Sequence, residues 1–129
     1  MTIAFWCLLV VVAAPYLLVL ASRVNANVAQ TIGDSRSYQD TLTGWQRRAH
    51  LAHLNAFEAI PAVATAVMVA EFAHAPRGWI DGLAVAFVAC RALHAAFYIT
   101  DRPYLRSWIF RLSLVCIIGL FAVAALGRG

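Results

Sequence analysis

The sequence contains no lysine and few charged residues of any kind. Charged side chains make up 12% of the 129 residues, and the ten basic residues are all arginine, which gives a formal net charge of +4. In a nucleic-acid-binding protein such charge gathers in an exposed polar stripe. Here the arginines lie between or within apolar runs, so we predict no nucleic-acid partner.

Cysteine is also scarce. Cys7, Cys90 and Cys116 are far apart in the sequence, and no two of them have the spacing of a metal or redox motif. Each lies in an apolar run, where a cysteine is most simply a small buried thiol. We therefore predict neither a disulfide nor a redox role.

Hydrophobic residues make up most of the chain. They account for 63% of the sequence, which is more apolar surface than a soluble domain of this length can bury. Four apolar segments are long enough to cross a hydrocarbon core of roughly 30 Å. The sequence therefore predicts one domain over 1–129, an all-α integral membrane protein folded as an antiparallel four-helix bundle. The predicted helices span about 3–30, 45–72, 79–99 and 104–126.

The first of these helices is predicted to cross the membrane over 3–22 and to continue as a polar extension. No basic residue precedes it, and the apolar run is too long for a secretory leader, so we expect it to remain as a membrane helix. Residues 31–44 are rich in Gly, Ser, Asp and Thr and predict a surface loop.

The distribution of arginine predicts the orientation in the membrane. The two connections at one end are flanked by Arg23, Arg36, Arg47, Arg48, Arg102 and Arg106, whereas the other end has only Arg77 and Arg128. The positive-inside rule places the arginine-rich connections in the cytoplasm and both termini on the other side. The expected location is a bacterial inner membrane.

Two of the predicted membrane helices each carry polar residues on one face. Because successive residues turn by 100°, Arg48, Asn55 and Glu58 fall within an arc of roughly 80° on the second helix. On the third helix, an arc of roughly 60° holds Arg91, His94 and Tyr98. Arg23 ends the first membrane segment and Arg106 begins the fourth at the same expected depth.

Charged residues within the membrane need partners. A charge facing lipid at mid-membrane costs roughly 2.5–3.5 kcal/mol even on a lenient scale, so Glu58 and Arg91 must pair, face water or face another chain. One interpretation is a buried Glu58–Arg91 ion pair that sets helix register. The surplus of arginines on the same side favours instead a net-positive cavity for an anionic ligand, because guanidinium groups match carboxylates.

Other kinds of site are less well supported. His50 and His53 have helical spacing, but the neighbouring arginines would repel a cation, so we predict no metal. Ser107 has no nucleophile-elbow motif around it. A proton or ion relay stays open, because Glu and His are common relay groups within membranes.

Two motifs resemble the MAPEG family (membrane-associated proteins in eicosanoid and glutathione metabolism). The segment HLNAFEAIP, with Asn55, Glu58 and Pro61 in an N-x-x-E-x-x-P pattern, is similar to the family's second-helix signature. The segment RALHAAFYITDRPYLRS, 91–107, resembles the third-helix and turn signature. The resemblance covers nearly the whole chain. It implies a homotrimer of four-helix protomers, with glutathione bound between neighbouring protomers at the cytoplasmic side.

The resemblance also implies roles for individual residues. Glutathione-binding positions are Arg23, Arg48, His53, Asn55, Glu58, Arg91 and His94. Arg106 would stabilise the thiolate, with Tyr98 or Ser107 donating a hydrogen bond. The implied activity is that of a glutathione transferase or peroxidase acting on lipophilic small molecules that arrive from the surrounding membrane lipid. Glutathione is the co-substrate, and this chemistry needs no metal.

The sequence departs from the family pattern at two positions. Leu51 stands where many members carry an arginine, and Phe110 stands where some carry a tyrosine. Loss of one guanidinium would weaken carboxylate binding by about 1–3 kcal/mol. The alternative prediction is therefore a non-catalytic membrane module of the same fold, either an accessory subunit or a protein that binds another anion.

Overall fold

The described part of the chain is all-helical. The computed structural model describes residues 1–26 and 32–127, which form α1 (Ile3–Ser22), α2 (Ser35–Asp40), α3 (Gly44–Phe72), α4 (Arg77–Ile99) and α5 (Pro103–Leu126). Helices α1, α3, α4 and α5 are long and apolar enough to cross a membrane. This agrees with the predicted helical membrane bundle.

Helices α3 and α4 form the centre of the bundle. Helix α1 packs against both of them, and α5 packs against both from the other side. The buried side chains between the helices include Val63 and Val67 of α3, Phe87 of α4 and Leu120 of α5. Helices α4 and α5 approach closely at Gly119, where a Cβ would lie 3.3 Å from the Leu83 side chain. Small residues allow such close packing of helices in lipid.

The antiparallel order gathers four helix termini at each end of the bundle. The end that holds Ser22, Gly44, Ile99 and Pro103 is called the arginine-rich end below. The end that holds Ile3, Phe72, Arg77 and Leu126 is called the closed end.

Helices α3 and α4 stop in the same way. His74 (φ 55°) and Asp101 (φ 57°) adopt the left-handed conformation just beyond these helices. The backbone N–H of Ala75 donates to Ala70 O at 3.1 Å, and that of Arg102 donates to Phe97 O at 2.8 Å. These are the bonds of a Schellman motif, which ends a helix sharply. Pro103 then starts α5.

Two expectations about the first connection are wrong. Helix α1 ends at Ser22, and Asn25 has φ 66°, so no helical extension crosses 23–26. The rest of the predicted extension, 27–30, lies outside the described residues. The predicted loop contains α2, because the Asp34 carboxylate caps this helix and accepts from the Ser37 N–H at 3.1 Å. Thr31, where that loop was predicted to begin, also lies outside the described residues.

The closed end is held by polar contacts between helices. The Asp81 carboxylate on α4 accepts from the Ala4 N–H at 2.8 Å, so it caps the start of α1 from a neighbouring helix. Glu71 on α3 accepts from the Thr2 hydroxyl at 3.4 Å and pairs with Arg77 at 3.2 Å. Helix α1 begins with unsatisfied N–H groups that attract negative charge. These carboxylates therefore fix the position of α1 against α3 and α4.

Candidate functional site

A polar cavity lies at the arginine-rich end between α3, α4 and α5. Its volume is about 400 Å³. It is lined by Asn55, His94, Tyr98, Arg106, Ser107, Phe110 and Arg111. The structure therefore brings together half of the residues that the sequence predicted as a site.

Arg106 and Tyr98 form a stacked pair in the wall of the cavity. The guanidinium carbon of Arg106 lies 4.3 Å from the centre of the Tyr98 ring, which is the geometry of a cation–π contact. Tyr98 is near the end of α4 and Arg106 near the start of α5, so the tight turn between these helices brings them together. Within the described part of the chain, Arg106 forms no ion pair. Its positive charge is available to an anionic ligand.

His94 separates the polar cavity from a second, apolar one. Its side chain is buried, with 3% of the residue exposed. The ring lies 5.7 Å from the Tyr98 ring and 5.9 Å from the Phe110 ring. On its other side, His94 lines an apolar cavity of about 210 Å³ between α1, α3 and α4. His94 thus forms the wall between the two spaces.

Arg91 lies behind the polar cavity and holds Asn55. Its Nη2 donates to Asn55 Oδ1 at 2.6 Å and to the Asn55 backbone O at 3.2 Å. Because Arg91 occupies the side-chain oxygen, the amide NH₂ of Asn55 remains a donor at the cavity wall. The alternative of a buried Glu58–Arg91 ion pair is wrong for the isolated chain. Glu58 is exposed, and it pairs with no described residue.

Besides Arg91 and Glu58, three more of the predicted site residues lie outside the cavity. Arg48 donates from Nε to the backbone O of Ile99 at 2.9 Å and so caps the C-terminus of α4. His53 contacts α1, with Nδ1 2.7 Å from Pro15 O. Arg23 follows α1, and its buried Nε has no hydrogen-bond partner within 1–26 and 32–127. Helical angles place these residues on a face, but they do not say which neighbouring helix that face meets.

Arg111 also lines the cavity, although it was not among the predicted site residues. It lies five residues beyond Arg106, which is roughly 140° away around the helix. Its guanidinium carbon is 5.2 Å from the centre of the Trp108 ring. The signal that could have found it is an arginine within an apolar run, which is the signal that identified Arg91.

The cavity is rich in hydrogen-bond donors and poor in acids. Arg106, Arg111, the Asn55 amide and the hydroxyls of Tyr98 and Ser107 can all donate. Within the described ranges, no cluster of three or more His, Cys, Asp or Glu side chains could hold a metal ion. The arrangement suits a ligand with negative charge, because charged hydrogen bonds to arginine are strong.

The fold defines a class of protein: an α-helical membrane bundle with four candidate spans. The chain belongs to the MAPEG family, whose model matches residues 3–126. Family membership confirms the resemblance found in the two motifs and places the chain among membrane proteins of glutathione and eicosanoid metabolism. The family includes glutathione transferases and also non-catalytic members. The comparisons with curated proteins and with solved structures returned no match.

Proposed function

We propose that this protein is a membrane glutathione transferase that conjugates lipophilic electrophiles by thiolate attack. The observation that carries the proposal is the Arg106–Tyr98 pair in a donor-rich cavity of a MAPEG-family bundle. The stacked ring holds the plane of the guanidinium group, so that its N–H groups can meet a ligand from a fixed direction. We assign Arg106 the role of stabilising the thiolate of glutathione.

The proposed chemistry depends on the charge next to the sulfur. A free thiol is mostly protonated at neutral pH, and a neighbouring guanidinium group favours the thiolate form. The hydroxyl of Tyr98 or Ser107 donates a second hydrogen bond to the sulfur. The thiolate then attacks an electrophilic carbon: a carbon–sulfur bond forms, the bond from that carbon to its leaving group breaks, and the leaving group departs with the electron pair. Asn55, held by Arg91, donates to a carboxylate of glutathione.

The exposed position of Glu58 supports a homotrimer. Glu58 lies about 21 Å along α3 from Gly44, and it is exposed in the single chain. A carboxylate facing lipid at that depth is costly, so a neighbouring protomer covers it and completes the site. In the proposed assembly Glu58 accepts from the ammonium group of glutathione. Arg23, Arg48 and His53, which lie outside the single-chain cavity, face the ligand from a neighbouring protomer.

The proposed orientation follows from the arginines. The arginine-rich end faces the cytoplasm, where glutathione is available, and both termini lie on the other side. Lipophilic substrates enter from the bilayer.

Calorimetric titration of the detergent-solubilised protein with glutathione tests this function. We expect binding in the millimolar range or tighter, together with the ultraviolet absorbance of a thiolate. S-methylglutathione is the matched control ligand, because it has the same charged groups and no ionisable thiol. It is expected to bind without the absorbance change. Absence of glutathione binding at millimolar concentration would exclude the proposal.

Leu51 favours a second candidate function. This residue replaces an arginine that many members carry, so one carboxylate contact is missing. A non-catalytic membrane module could still bind an anion through Arg106, which lines the cavity. Binding of glutathione and S-methylglutathione with equal affinity and with no thiolate absorbance would support this module and contradict the transferase.

A further inference from the structure

The apolar cavity between α1, α3 and α4 has no part in the proposed chemistry. Its volume is about 210 Å³, and it lies on the other side of His94 from the polar cavity. Five of its twelve lining residues are alanines: Ala14, Ala52, Ala56, Ala92 and Ala95. Nearer the closed end, the larger side chains of Val63, Val67 and Phe87 fill the space between the helices. The cavity is therefore a consequence of small side chains at one level of the bundle.

This cavity has one charged group in an otherwise apolar wall. Arg91 and His94 are its only polar lining residues. Arg91 donates to Asn55 through Nη2 alone, and its Nε and Nη1 donate to no atom of the described residues. Polar groups that face an apolar space lose their hydration, which is unfavourable unless an acceptor replaces it. An occupant with an acceptor would supply that partner.

The wall also limits which occupants are favourable. A buried water needs two to four polar partners, and the cavity offers only Arg91 and His94. A lipid acyl chain has no acceptor for Arg91. A carboxylate would lose its hydration in a space whose one cation already binds Asn55, and that loss is large. A neutral carbonyl group loses less hydration, and it still accepts a hydrogen bond from a charged donor.

The size and the opening of the cavity define the rest of the ligand. An apolar cavity of about 150 Å³ is enough for a benzene ring, so 210 Å³ suits one ring with a small substituent. Val10 and Leu17 line the cavity and are also exposed on the outer surface of α1. The cavity thus opens toward lipid, from which a neutral aromatic molecule can enter.

We propose that the apolar cavity binds a neutral single-ring molecule with one hydrogen-bond acceptor, such as an aryl ketone, and that Arg91 donates to this acceptor. The ring contacts the alanines, and the carbonyl group lies at the Arg91 end of the cavity. This binding site goes beyond the proposed function, because it needs neither glutathione nor an electrophile.

Arg91 and His94 connect this cavity to the candidate glutathione site. His94 lines both cavities, and Arg91 holds Asn55, which lines the polar one. An acceptor on the remaining N–H groups of Arg91 restricts the guanidinium group to the orientation that binds Asn55, so less conformational freedom is lost when glutathione binds. The ketone is therefore an effector that raises glutathione affinity, and glutathione raises ketone affinity by the same factor. This effector role, unlike the binding site, rests on the proposed function.

Fluorine NMR of the detergent-solubilised protein tests the binding site with three probes that share one ring: 3-fluoroacetophenone, 3-fluorotoluene and 3-fluorobenzoate. Saturable binding, measured against protein-free micelles, separates the cavity from the detergent. We expect wild type to bind the ketone about tenfold more tightly than the toluene, the difference typical of one hydrogen bond to a charged group. The benzoate should bind more weakly than the ketone. Arg91→Met should bind the ketone and the toluene equally.

Two pairs of variants locate the site without changing Arg91. Ala14→Leu and Ala95→Leu fill the cavity from α1 and from α4, so each should lose saturable binding of both neutral probes. Ala13→Leu and Ala96→Leu make the same change at exposed neighbours that do not line the cavity, and they should bind as wild type does. Thermal unfolding shows that each variant is folded. If Arg91→Met does not fold, these pairs and the three probes on wild type still decide the matter.

Four results would overturn the binding site. The first is no saturable binding of the ketone, and the second is equal affinity of wild type for the ketone and the toluene. The third is tighter binding of the benzoate, because the cavity would then select charge. The fourth is unchanged ketone binding in both Ala14→Leu and Ala95→Leu, because the ketone would then lie elsewhere.

Calorimetry with glutathione separates the effector role from the proposed function. We expect saturating 3-fluoroacetophenone to raise glutathione affinity by about fivefold or more, and Ala14→Leu to abolish this effect while Ala13→Leu keeps it. Unchanged glutathione affinity in the presence of bound ketone would refute the effector role. If the ketone binds as expected but glutathione does not bind at all, the proposed function is wrong and the ketone site stands. If glutathione binds and the ketone does not, the ketone site is wrong and the proposed function stands.

Discussion

The two ends of the bundle treat their polar groups in opposite ways. At the closed end, the carboxylates have donors as partners. Asp81 accepts a hydrogen bond from the Ala4 N–H, and Glu71 accepts one from the Thr2 hydroxyl and forms an ion pair with Arg77. At the arginine-rich end, donors exceed acceptors. Arg106 lies on an aromatic ring, and Arg91 binds an amide instead of a carboxylate. Among the described residues, the carboxylates of the closed end have partners within one chain, whereas the arginines of the other end have no acidic partner there.

This difference separates stability from function. Substitutions at the closed end remove contacts that are present in the single chain, so they should lower the free energy of unfolding and leave ligand binding unchanged. Substitutions at the arginine-rich end remove groups with few internal partners. They should affect ligand binding first, unless the residue also supports a neighbour.

The largest expected effect is that of Arg106→Ala on conjugation. Removing one donor that stabilises developing or full negative charge typically lowers kcat by about 10²–10³-fold. The measurement is kcat/KM for a model electrophile with saturating glutathione, alongside the thiolate absorbance of the complex. Thermal unfolding should change little, because Arg106 stacks on the Tyr98 ring and forms no ion pair with a described residue.

Arg102→Ala is the control for Arg106→Ala, since Arg102 lies in the same connection and is exposed. A normal conjugation rate in Arg106→Ala would show that another residue stabilises the sulfur.

Arg91→Met should lower both ligand affinity and the free energy of unfolding. Arg91 would then combine the stabilising role of the closed-end residues with the binding role of the arginine-rich end. The substitution leaves the Asn55 side-chain oxygen without its 2.6 Å donor. A fully buried acceptor left unsatisfied costs about 1–3 kcal/mol, so this partly buried one should cost the lower part of that range. Asn55 should also lose its orientation toward the proposed glutathione. Calorimetry and thermal unfolding would measure the two losses.

A double-mutant cycle with Asn55→Leu checks whether Arg91 acts through Asn55. Residues in one hydrogen-bond pair typically show a coupling of about 0.5–3 kcal/mol. Strictly additive losses would mean that Arg91 acts on the ligand or the fold independently of Asn55.

The membrane fold could be predicted from the sequence because its signal is local. Each span is a continuous apolar run, and a helix is the only open segment that satisfies its own backbone in lipid. The first connection was harder. Asn25 and Asp34 act through backbone conformation and a cap, which composition alone does not distinguish from a loop.

The candidate site could be predicted only in part, because a site depends on contacts between helices. The faces of α3 and α4 were predicted from helical angles, and Asn55, His94 and Tyr98 do line one cavity. Helical angles did not show that Arg91 would form its hydrogen bonds with Asn55 and not with Glu58, or that His53 would contact Pro15. Those outcomes depend on side-chain reach and on which helix packs against which.

Asp81→Ala should lower stability and leave the ligand site unchanged. The substitution removes the acceptor of the Ala4 N–H, and loss of a helix cap typically costs about 0.5–2 kcal/mol. Asp81→Asn is the matched control, because its side-chain oxygen can still accept that bond. Thermal unfolding and glutathione calorimetry together give the test. A change in glutathione affinity equal to that of Arg91→Met would show that the two ends are coupled.

Arg77→Gln should have the smallest effect. The side chain of Arg77 is 57% exposed whereas that of Glu71 is 17% exposed, so water solvates the arginine well before and after the change. Exposed ion pairs typically contribute about 0.2–1 kcal/mol, and added salt reduces that contribution. Glu71→Ala should cost more than Arg77→Gln, because it removes the acceptor of the Thr2 hydroxyl as well as the ion pair. The difference in unfolding free energy between these two variants, measured at low and high salt, would show whether the closed end depends on the ion pair or on the hydrogen bond to Thr2. Equal losses that vanish together in salt would mean that the ion pair alone holds this corner, and that α1 is fixed there only through Asp81.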